Sequence, residues 1–181
     1  SAHNSDASVG GNSSVIIKGG TVTIGSSYNG IFGGNASLYR GSAVTRYVTE
    51  NSGVIITGGE ISSDIFAGND AYYHDGTSKP AQIIANTSGD SFISVSGGTV
   101  SGDLFGGGKA NAYNKSVSTD INVSFVSNIA GKSEINLTGG DIHGNIYGAG
   151  WANGASAEAS VGGQVTITLD DAAVSGDIYA G

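Results

Sequence analysis

Residues 92–107 read FISVSGGTVSGDLFGG, and this stretch decides the fold. It begins with an alternation of apolar and polar residues, which is typical of a half-buried strand. A Gly-Gly corner follows, then a second short strand and a glycine-rich exit. Because the same pattern occurs five times along the chain, we interpret it as the unit of a repeat.

The five copies are marked by the first residue of each corner: Gly19, Gly58, Gly97, Gly139 and Asp171. The spacings between successive markers are 39, 39, 42 and 32 residues. A period in this range indicates a solenoid, a propeller or another repeat array. The fifth corner has lost both glycines.

Within each strand the apolar residues are two apart, so they share one face. Aligning the copies places these residues in four aliphatic columns. The columns are Val15, Val54, Ile93, Ile135 and Ile167; Ile17, Ile56, Val95, Leu137 and Leu169; Val22, Ile61, Val100, Ile142 and Val174; and Ile31, Ile65, Leu104, Ile146 and Ile178. Such columns describe a parallel β-helix, in which equivalent strands of successive coils pair and like side chains stack.

We therefore predict an all-β fold, namely a parallel β-helix (β-solenoid) of about five imperfect repeats of roughly 39 residues. Residues 1–181 are predicted to be a single β-solenoid segment. Because both ends of the chain resemble parts of further repeats, we expect it to be a fragment of a longer array. A barrel or sandwich is the alternative, but it favours hairpin turns in step with the repeat. Asn29-Gly30 and Asn153-Gly154 do not recur in that way.

Connectors of different length join the copies, and we expect them to be loops on the outside of the stack. Two of them hold strand-like runs, at residues 43–49 and 121–126. Lys109 lies in a connector, so its substitution is expected to be tolerated.

Composition excludes several classes of function. The 181 residues include no Cys, which excludes disulfides and Cys-based metal sites. The net charge is −8 with seven basic residues, so nucleic acid and anionic membranes are poor partners. No run of 18 apolar residues occurs, and we expect no membrane insertion by this segment.

Motifs for catalysis and metal binding are weak. His3, His74 and His143 have no ligand spacing and are interpreted as surface residues. Residues 106–109, GGGK, lack the remainder of a phosphate-binding loop. We predict no catalytic residue, no metal ligand and no cofactor.

Polar Asx residues precede the last aliphatic column in four copies, at Asp64, Asp103, Asn145 and Asp177. A stacked calcium site is one interpretation of this series. The favoured interpretation is an Asx turn in which each side chain bonds its own backbone, because Asn145 suits it equally well. Calcium is thus possible but not favoured.

The candidate binding residues are five aromatic residues that directly follow the fourth aliphatic column: Phe32, Phe66, Phe105, Tyr147 and Tyr179. In an extended strand they face outward. Exposed rings at a regular spacing suit stacking on sugars or docking of another protein. The alternative is that a strand bend or a folded connector covers the rings.

The repeat, an alternating strand followed by Gly-Gly, a second strand, Gly-Asp and an aromatic residue before Gly-Gly, resembles the passenger repeats of large bacterial surface proteins, the autotransporter-type adhesins. The resemblance covers nearly the whole chain, and it implies a non-enzymatic adhesive or stalk segment at the bacterial cell surface. The implied partners are a host or bacterial surface glycan or protein, or a second solenoid through self-association. The parent would be extracellular and anchored in the outer membrane elsewhere. The alternative is a polysaccharide-active β-helix enzyme, a lyase or hydrolase.

Overall fold

The structure is a computed structural model, and it describes residues 9–24, 30–39, 45–73, 82–114, 119–120 and 123–181. These residues form strands and turns, and no helix is found among them. The described part of the chain accordingly holds no helix that is long and apolar enough to cross a membrane. The chain is all-β, and nearly all of its strands pair in parallel.

The strands fall into five repeats. The first repeat contains β1 (Ser13–Ile17), β2 (Thr21–Val22), β3 (Ile31–Phe32), β4 (Ala36–Tyr39) and β5 (Thr45–Thr49). The second contains β6 (Ser52–Ile56), β7 (Glu60–Ile61), β8 (Ile65–Phe66), β9 (Asp70–Tyr73) and β10 (Gln82–Thr87). The third contains β11 (Ser91–Val100), β12 (Leu104–Phe105), β13 (Lys109–Asn111), β14 (Tyr113–Asn114), β15 (Thr119–Asp120) and β16 (Ser124–Val126). The fourth contains β17 (Ser133–Ile142), β18 (Ile146–Tyr147), β19 (Trp151–Asn153) and β20 (Ala157–Glu158), and the fifth contains β21 (Val165–Leu169), β22 (Ala173–Val174) and β23 (Ile178–Tyr179).

Four parallel sheets collect the equivalent strands of these repeats. The first sheet has the order β1-β6-β11-β17-β21, with β2, β7 and β22 at the ends of its strands. The second is β3-β8-β12-β18-β23, the third β4-β9-β13-β19 and the fourth β5-β10-β16-β20. In every complete repeat the chain visits the sheets in this order and then returns to the first. Among the described strands, only β14 and β15 pair antiparallel, as a hairpin inside the third repeat.

The register confirms the predicted columns. Val54 pairs with both Val15 and Ile93, and the pairing continues through Ile135 to Ile167. The other three aliphatic columns align in the same manner. The pairing of β11 with β17 is irregular at the corner, around Ser96, and regains the same register at Thr99. Because the side-chain period of a strand is two, a slip of one residue would turn each column outward. The repeat spacing read from the corner glycines therefore fixes the register.

The corners of the repeats require a left-handed backbone. Gly20, Gly59, Gly98 and Gly140, the second residues of the first four corners, have φ between +87° and +106°. Only glycine adopts such values without a steric cost. In the fifth corner Asp171 has φ +61°, and it occupies the first corner position instead of the second. Asp is one of the few other residues that tolerate this region.

The connectors are more regular than the sequence indicated. They supply all the strands of the third and fourth sheets, so the prediction that they are outer loops is wrong for these segments. The runs predicted at 43–49 and 121–126 contain β5 and β16, while residues 43, 44, 121 and 122 lie outside the described residues. Lys109 is the first residue of β13, in register with Asp70 and Trp151.

The interior has two apolar clusters. One is formed by the aliphatic columns of the first and second sheets. The other, between the third and fourth sheets, contains small residues and one buried aromatic ring, and its members are Ala71, Ile83, Ala85, Ala110, Ala112, Val123 and Phe125. Alanine in the third sheet allows the opposite sheet to approach closely.

A buried polar seam separates the two apolar clusters. The Ser91 and Ser133 hydroxyls donate to the Gly106 carbonyl at 2.6 and 3.0 Å. The Asn69 amide donates to Thr87 Oγ1 at 3.1 Å. A Cβ added at Gly106 would collide with the Ser133 hydroxyl, so glycine is required at this exit. Because these buried polar groups are hydrogen-bonded, the seam carries little of the desolvation cost of burial.

Candidate functional site

The aromatic column of Phe32, Phe66, Phe105, Tyr147 and Tyr179 forms one continuous stack of rings. Strands β3, β8, β12, β18 and β23 hold these residues in register, each directly after an inward aliphatic residue. Successive ring centroids are 5.0, 4.6, 4.9 and 5.1 Å apart, and neighbouring rings are within 11° of parallel. The spacing follows from parallel strands about 4.8 Å apart. The predicted alignment of the five residues is thus found.

Exposure differs strongly along the aromatic column. Phe66 is 1% exposed and Phe105 is 5% exposed, so these two rings are part of the buried structure. Phe32 and Tyr147 are half-buried, and Tyr179 is 45% exposed. Solvent reaches the column at Phe32, Tyr147 and Tyr179, whereas Phe66 and Phe105 support the stack from within.

Lys109 covers part of the column. Its Nζ lies 5.5 Å from the centroid of the Phe66 ring and 5.4 Å from that of Trp151. An ammonium group at this distance from two ring faces is attracted by their π electrons. Lys109 therefore links three repeats, and the expectation that its substitution is tolerated does not agree with this position.

Asp70 lies beside Lys109 on the neighbouring strand of the third sheet. Burial raises the pKa of the Asp70 carboxyl to about 7, although the charge of Lys109 acts in the opposite direction. Removal of a carboxylate from water disfavours its charged form. Asp70 thus changes its charge near neutral pH within the fold, but only 7% of it is exposed, which leaves little access for a substrate.

The hydroxyl of Tyr179 donates a hydrogen bond to Asp177 Oδ2 at 3.1 Å. This bond, and then the charge of Asp177, raise the pKa of the Tyr179 hydroxyl. The exposed end of the aromatic column therefore combines a ring face with a neutral hydroxyl and a carboxylate. Such a combination suits a ligand with both apolar faces and hydroxyl groups.

The Asx residues form a ladder between repeats. The backbone N–H of Asp103 donates to Asp64 Oδ1 at 3.0 Å, that of Asn145 to Asp103 Oδ1 at 2.7 Å, and that of Asp177 to Asn145 Oδ1 at 2.9 Å. The favoured interpretation of a turn that bonds its own backbone is thus wrong, because the side chains of Asp64, Asp103 and Asn145 each accept a hydrogen bond from the next repeat. Within the described residues no group of three or more His, Cys, Asp or Glu side chains is placed to hold a metal ion.

Comparison with protein-family models, with curated proteins and with solved structures finds no match for this chain. Its function is therefore inferred from its residues and their geometry. Of the three histidines, His143 lies after β17 and is exposed, and His3 and His74 lie outside the described residues.

The sequence reasoning missed two features. One is the buried polar seam, and the other is the position of Lys109 over the Phe66 ring. Serines in register begin the strands of the first sheet in four repeats: Ser13, Ser52, Ser91 and Ser133. Their spacing of 39, 39 and 42 residues equals that of the corner glycines. This periodicity was a usable signal, since surface serines have no reason to follow the repeat.

Proposed function

We propose that the chain is a section of a parallel β-solenoid with one turn per repeat. It would serve as a non-enzymatic adhesive or stalk segment of an extracellular bacterial surface protein of the autotransporter type. Its partners would be a surface glycan, a surface protein or a second solenoid. No nucleic acid, cofactor or calcium ion enters this proposal.

The observation that carries the proposal is the unbroken register of all five columns through five repeats. Each repeat buries its apolar face only against its neighbours, as in quasi-one-dimensional repeat proteins. A stack of this kind extends by adding repeats and keeps the same outer surface along its length. This is the property that a stalk or an extended adhesive surface needs.

Side-chain ladders favour a load-bearing role. The Asx ladder connects successive repeats on the outside, and bonds of the serine and threonine seam, such as Thr49–Thr87 and Ser133–Gly106, connect them on the inside. These bonds add to the backbone pairing between repeats, and each contributes about 1 kcal/mol. Separation of two repeats would therefore break backbone and side-chain bonds together.

Attachment is the activity that the solvent-accessible rings of the aromatic column support. Tyr147 and Tyr179 present stacked rings on a surface rich in Gly, Ser, Thr and Asn. Aromatic faces beside hydroxyl and carboxylate groups bind partners without a need for net charge. The alternative, a polysaccharide-active enzyme, would require a carboxylate pair that a substrate can reach.

The experiment compares beads coated with the chain and beads coated with a variant carrying both Tyr147→Ser and Tyr179→Ser. We expect the original chain to bind cells or to aggregate the beads, and the variant to lose this property with an unchanged far-UV circular dichroism spectrum. The same protein is incubated with neutral and acidic polysaccharides, and reducing ends and unsaturated products are measured. Depolymerisation without attachment would replace the adhesive function by the enzymatic alternative.

A further inference from the structure

A surface groove of about 440 Å³ lies where the strands of the first sheet begin, and none of the rings of the aromatic column lines it. It is lined by one residue or more from each of the first four repeats, chiefly Asn12, Asn51, Asp90, Phe92, Lys132 and Glu134. These residues stand just before or at the beginning of the first-sheet strands β1, β6, β11 and β17. The groove therefore runs across the strands, over three strand spacings or about 14 Å.

Phe92 provides an aromatic platform in this groove. It pairs with Gly53 on β6, and three of its ring atoms lie 2.5 to 2.6 Å from the position that a Gly53 Cβ would occupy. These ring atoms thus cover the Gly53 backbone, which is possible only because residue 53 has no side chain. The residue is half-buried, so part of the ring is still accessible from the groove.

Polar side chains beside the ring are held in fixed positions. Asn51 Nδ2 donates to Asn12 Oδ1 at 2.6 Å, and the backbone N–H of Asp90 donates to Asn51 Oδ1 at 2.7 Å. The backbone N–H of Lys132 then donates to Asp90 Oδ1 at 2.9 Å. A carboxylate accepts about four hydrogen bonds, so Asp90 retains acceptor capacity after this bond. Groups fixed in this way lose little conformational entropy when a ligand binds.

Charge narrows the class of ligand. Lys132 Nζ is paired with Glu134 Oε1 at 2.7 Å and is also attracted by the charge of Asp90, so one cationic and two anionic side chains leave the six groove residues named above with one net negative charge. The whole chain carries a net charge of −8. Anionic ligands such as uronates, sulfated sugars and nucleic acids are therefore repelled.

The groove is poorly suited to binding an extended peptide. An extended peptide binds by adding a strand to a free sheet edge. Here the backbone N–H and C=O groups of the first sheet pair with the strands of neighbouring repeats, so the groove offers side chains. An aromatic face next to amide and carboxylate groups suits the apolar faces and hydroxyls of a sugar.

We propose that this groove binds a neutral oligosaccharide along the axis of the stack, with Phe92 under a sugar ring and Asn51 and Asp90 on its hydroxyls. The inference rests on the proposed adhesive function in that it names a ligand class for it. The site is distinct from the aromatic column, so the two can be tested separately.

The test measures binding of maltotetraose, cellotetraose, mannotetraose and N-acetylchitotetraose to the purified chain by isothermal titration calorimetry and saturation-transfer NMR. We expect at least one of them to bind, and a tetragalacturonate to bind more weakly than that neutral sugar. Phe92→Ala should reduce the affinity about tenfold. Phe92→Leu retains an apolar cover on Gly53, so it should keep the melting temperature and still lose affinity.

The matched control is Ile16→Ser, which removes an exposed apolar side chain from the same face of the first sheet outside the groove. It should bind the sugar as the original chain does. The proposal is overturned if none of the four neutral sugars binds with a Kd below about 10 mM. It is also overturned if both Phe92 variants bind normally, or if the uronate binds best. Bead attachment that persists in such a case would leave the adhesive function standing without this groove.

Discussion

The third and fifth repeats have nearly the same kinds of residue at their column positions, yet their burial differs. In the third repeat Val95 and Leu104 are fully buried. Their equivalents in the fifth repeat, Leu169 and Ile178, are 43% and 45% exposed. The third repeat is paired on both sides, whereas β21 and β23 are paired on one side among the described residues. Burial in this molecule is therefore decided by the neighbouring repeats and not by the residue itself.

This difference also separates the roles of the aromatic rings. Phe105 lies between two rings of the stack and is buried, while Tyr179 contacts one ring and is exposed. A column position with described neighbours on both sides thus contributes to stability, whereas one with a described neighbour on one side contributes to the accessible surface of this segment. Substitutions at equivalent positions of an inner repeat and of the fifth repeat should measure the contribution to stability and the contribution to the surface separately.

The largest difference in stability between an inner and an outer position is expected when a charge is placed in one aliphatic column. Val95→Asp would bury an uncompensated carboxylate between Ile56 and Leu137 and should lower the free energy of unfolding by several kcal/mol. Leu169→Asp, in the same column, should cost less than about 1 kcal/mol because water reaches the site. Urea denaturation followed by circular dichroism measures both values. Equal midpoints would contradict the difference between an inner and an outer repeat.

Asp70 should make the stability of the inner repeats depend on pH. Its pKa is about 7 in the fold against 3.8 for the exposed group, so the folded chain binds more protons between these values. The contribution of Asp70 to the free energy of unfolding should be most favourable below about pH 4. It should fall by roughly 4 kcal/mol as the pH rises to 7.

The control for this pH dependence is Asp70→Asn, which cannot titrate. The contribution of Asp70 is the difference between the slopes of unfolding free energy against pH for the two proteins. Parallel slopes would show that the carboxyl is not desolvated as the structure indicates.

A smaller difference in stability between an inner and an outer position is expected in the aromatic column. Phe105→Ala would leave a cavity between the rings of Phe66 and Tyr147 and should cost about 3 kcal/mol. Tyr179→Ala, at the exposed end, should cost about 0.5 kcal/mol. Thermal melts of both variants give the comparison. A large loss for Tyr179→Ala would assign the end ring to the core and remove the basis for binding there.

The smallest expected effect concerns the Asx ladder. Asn145→Ala removes the acceptor of the Asp177 N–H and should cost about 1 kcal/mol. Asn145→Asp retains an acceptor oxygen and should have a smaller effect. Urea midpoints of the two variants test whether the hydrogen bond, and not the side-chain volume, is what stabilises this corner.

Sequence reasoning succeeded where one residue type repeats at a fixed spacing. The corner glycines set the alignment, and the alternation around them fixed which residues face inward, so the four columns and the order of the aromatic residues followed. Two strands of the fourth sheet were predicted from strand-like runs, but the third sheet was missed because its inward residues include small ones such as Ala71 and Ala110, which give a weak apolar signal.

The candidate site was harder to predict for a physical reason. Alternation shows that Phe66 and Phe105 face away from the aliphatic columns, but it does not show what lies against that outward face. Lys109 covers Phe66 from the next repeat, 43 residues further along the chain, and a contact of that kind depends on the stacking itself. The groove at Phe92 depends likewise on Gly53, which looks unremarkable in the sequence.

In the proposed solenoid, each repeat adds one strand spacing along a single axis. The chain has no Cys, so two spin labels can be placed without competing thiols. Pulsed electron paramagnetic resonance would compare Ile16→Cys/Asn136→Cys with Ile16→Cys/Thr168→Cys, whose labelled residues share one outward column. The Cα separations should be about 14 Å and about 19 Å, so the second distance should be longer by one strand spacing. Equal distances, or a second distance shorter than the first, would contradict the stacking of the repeats.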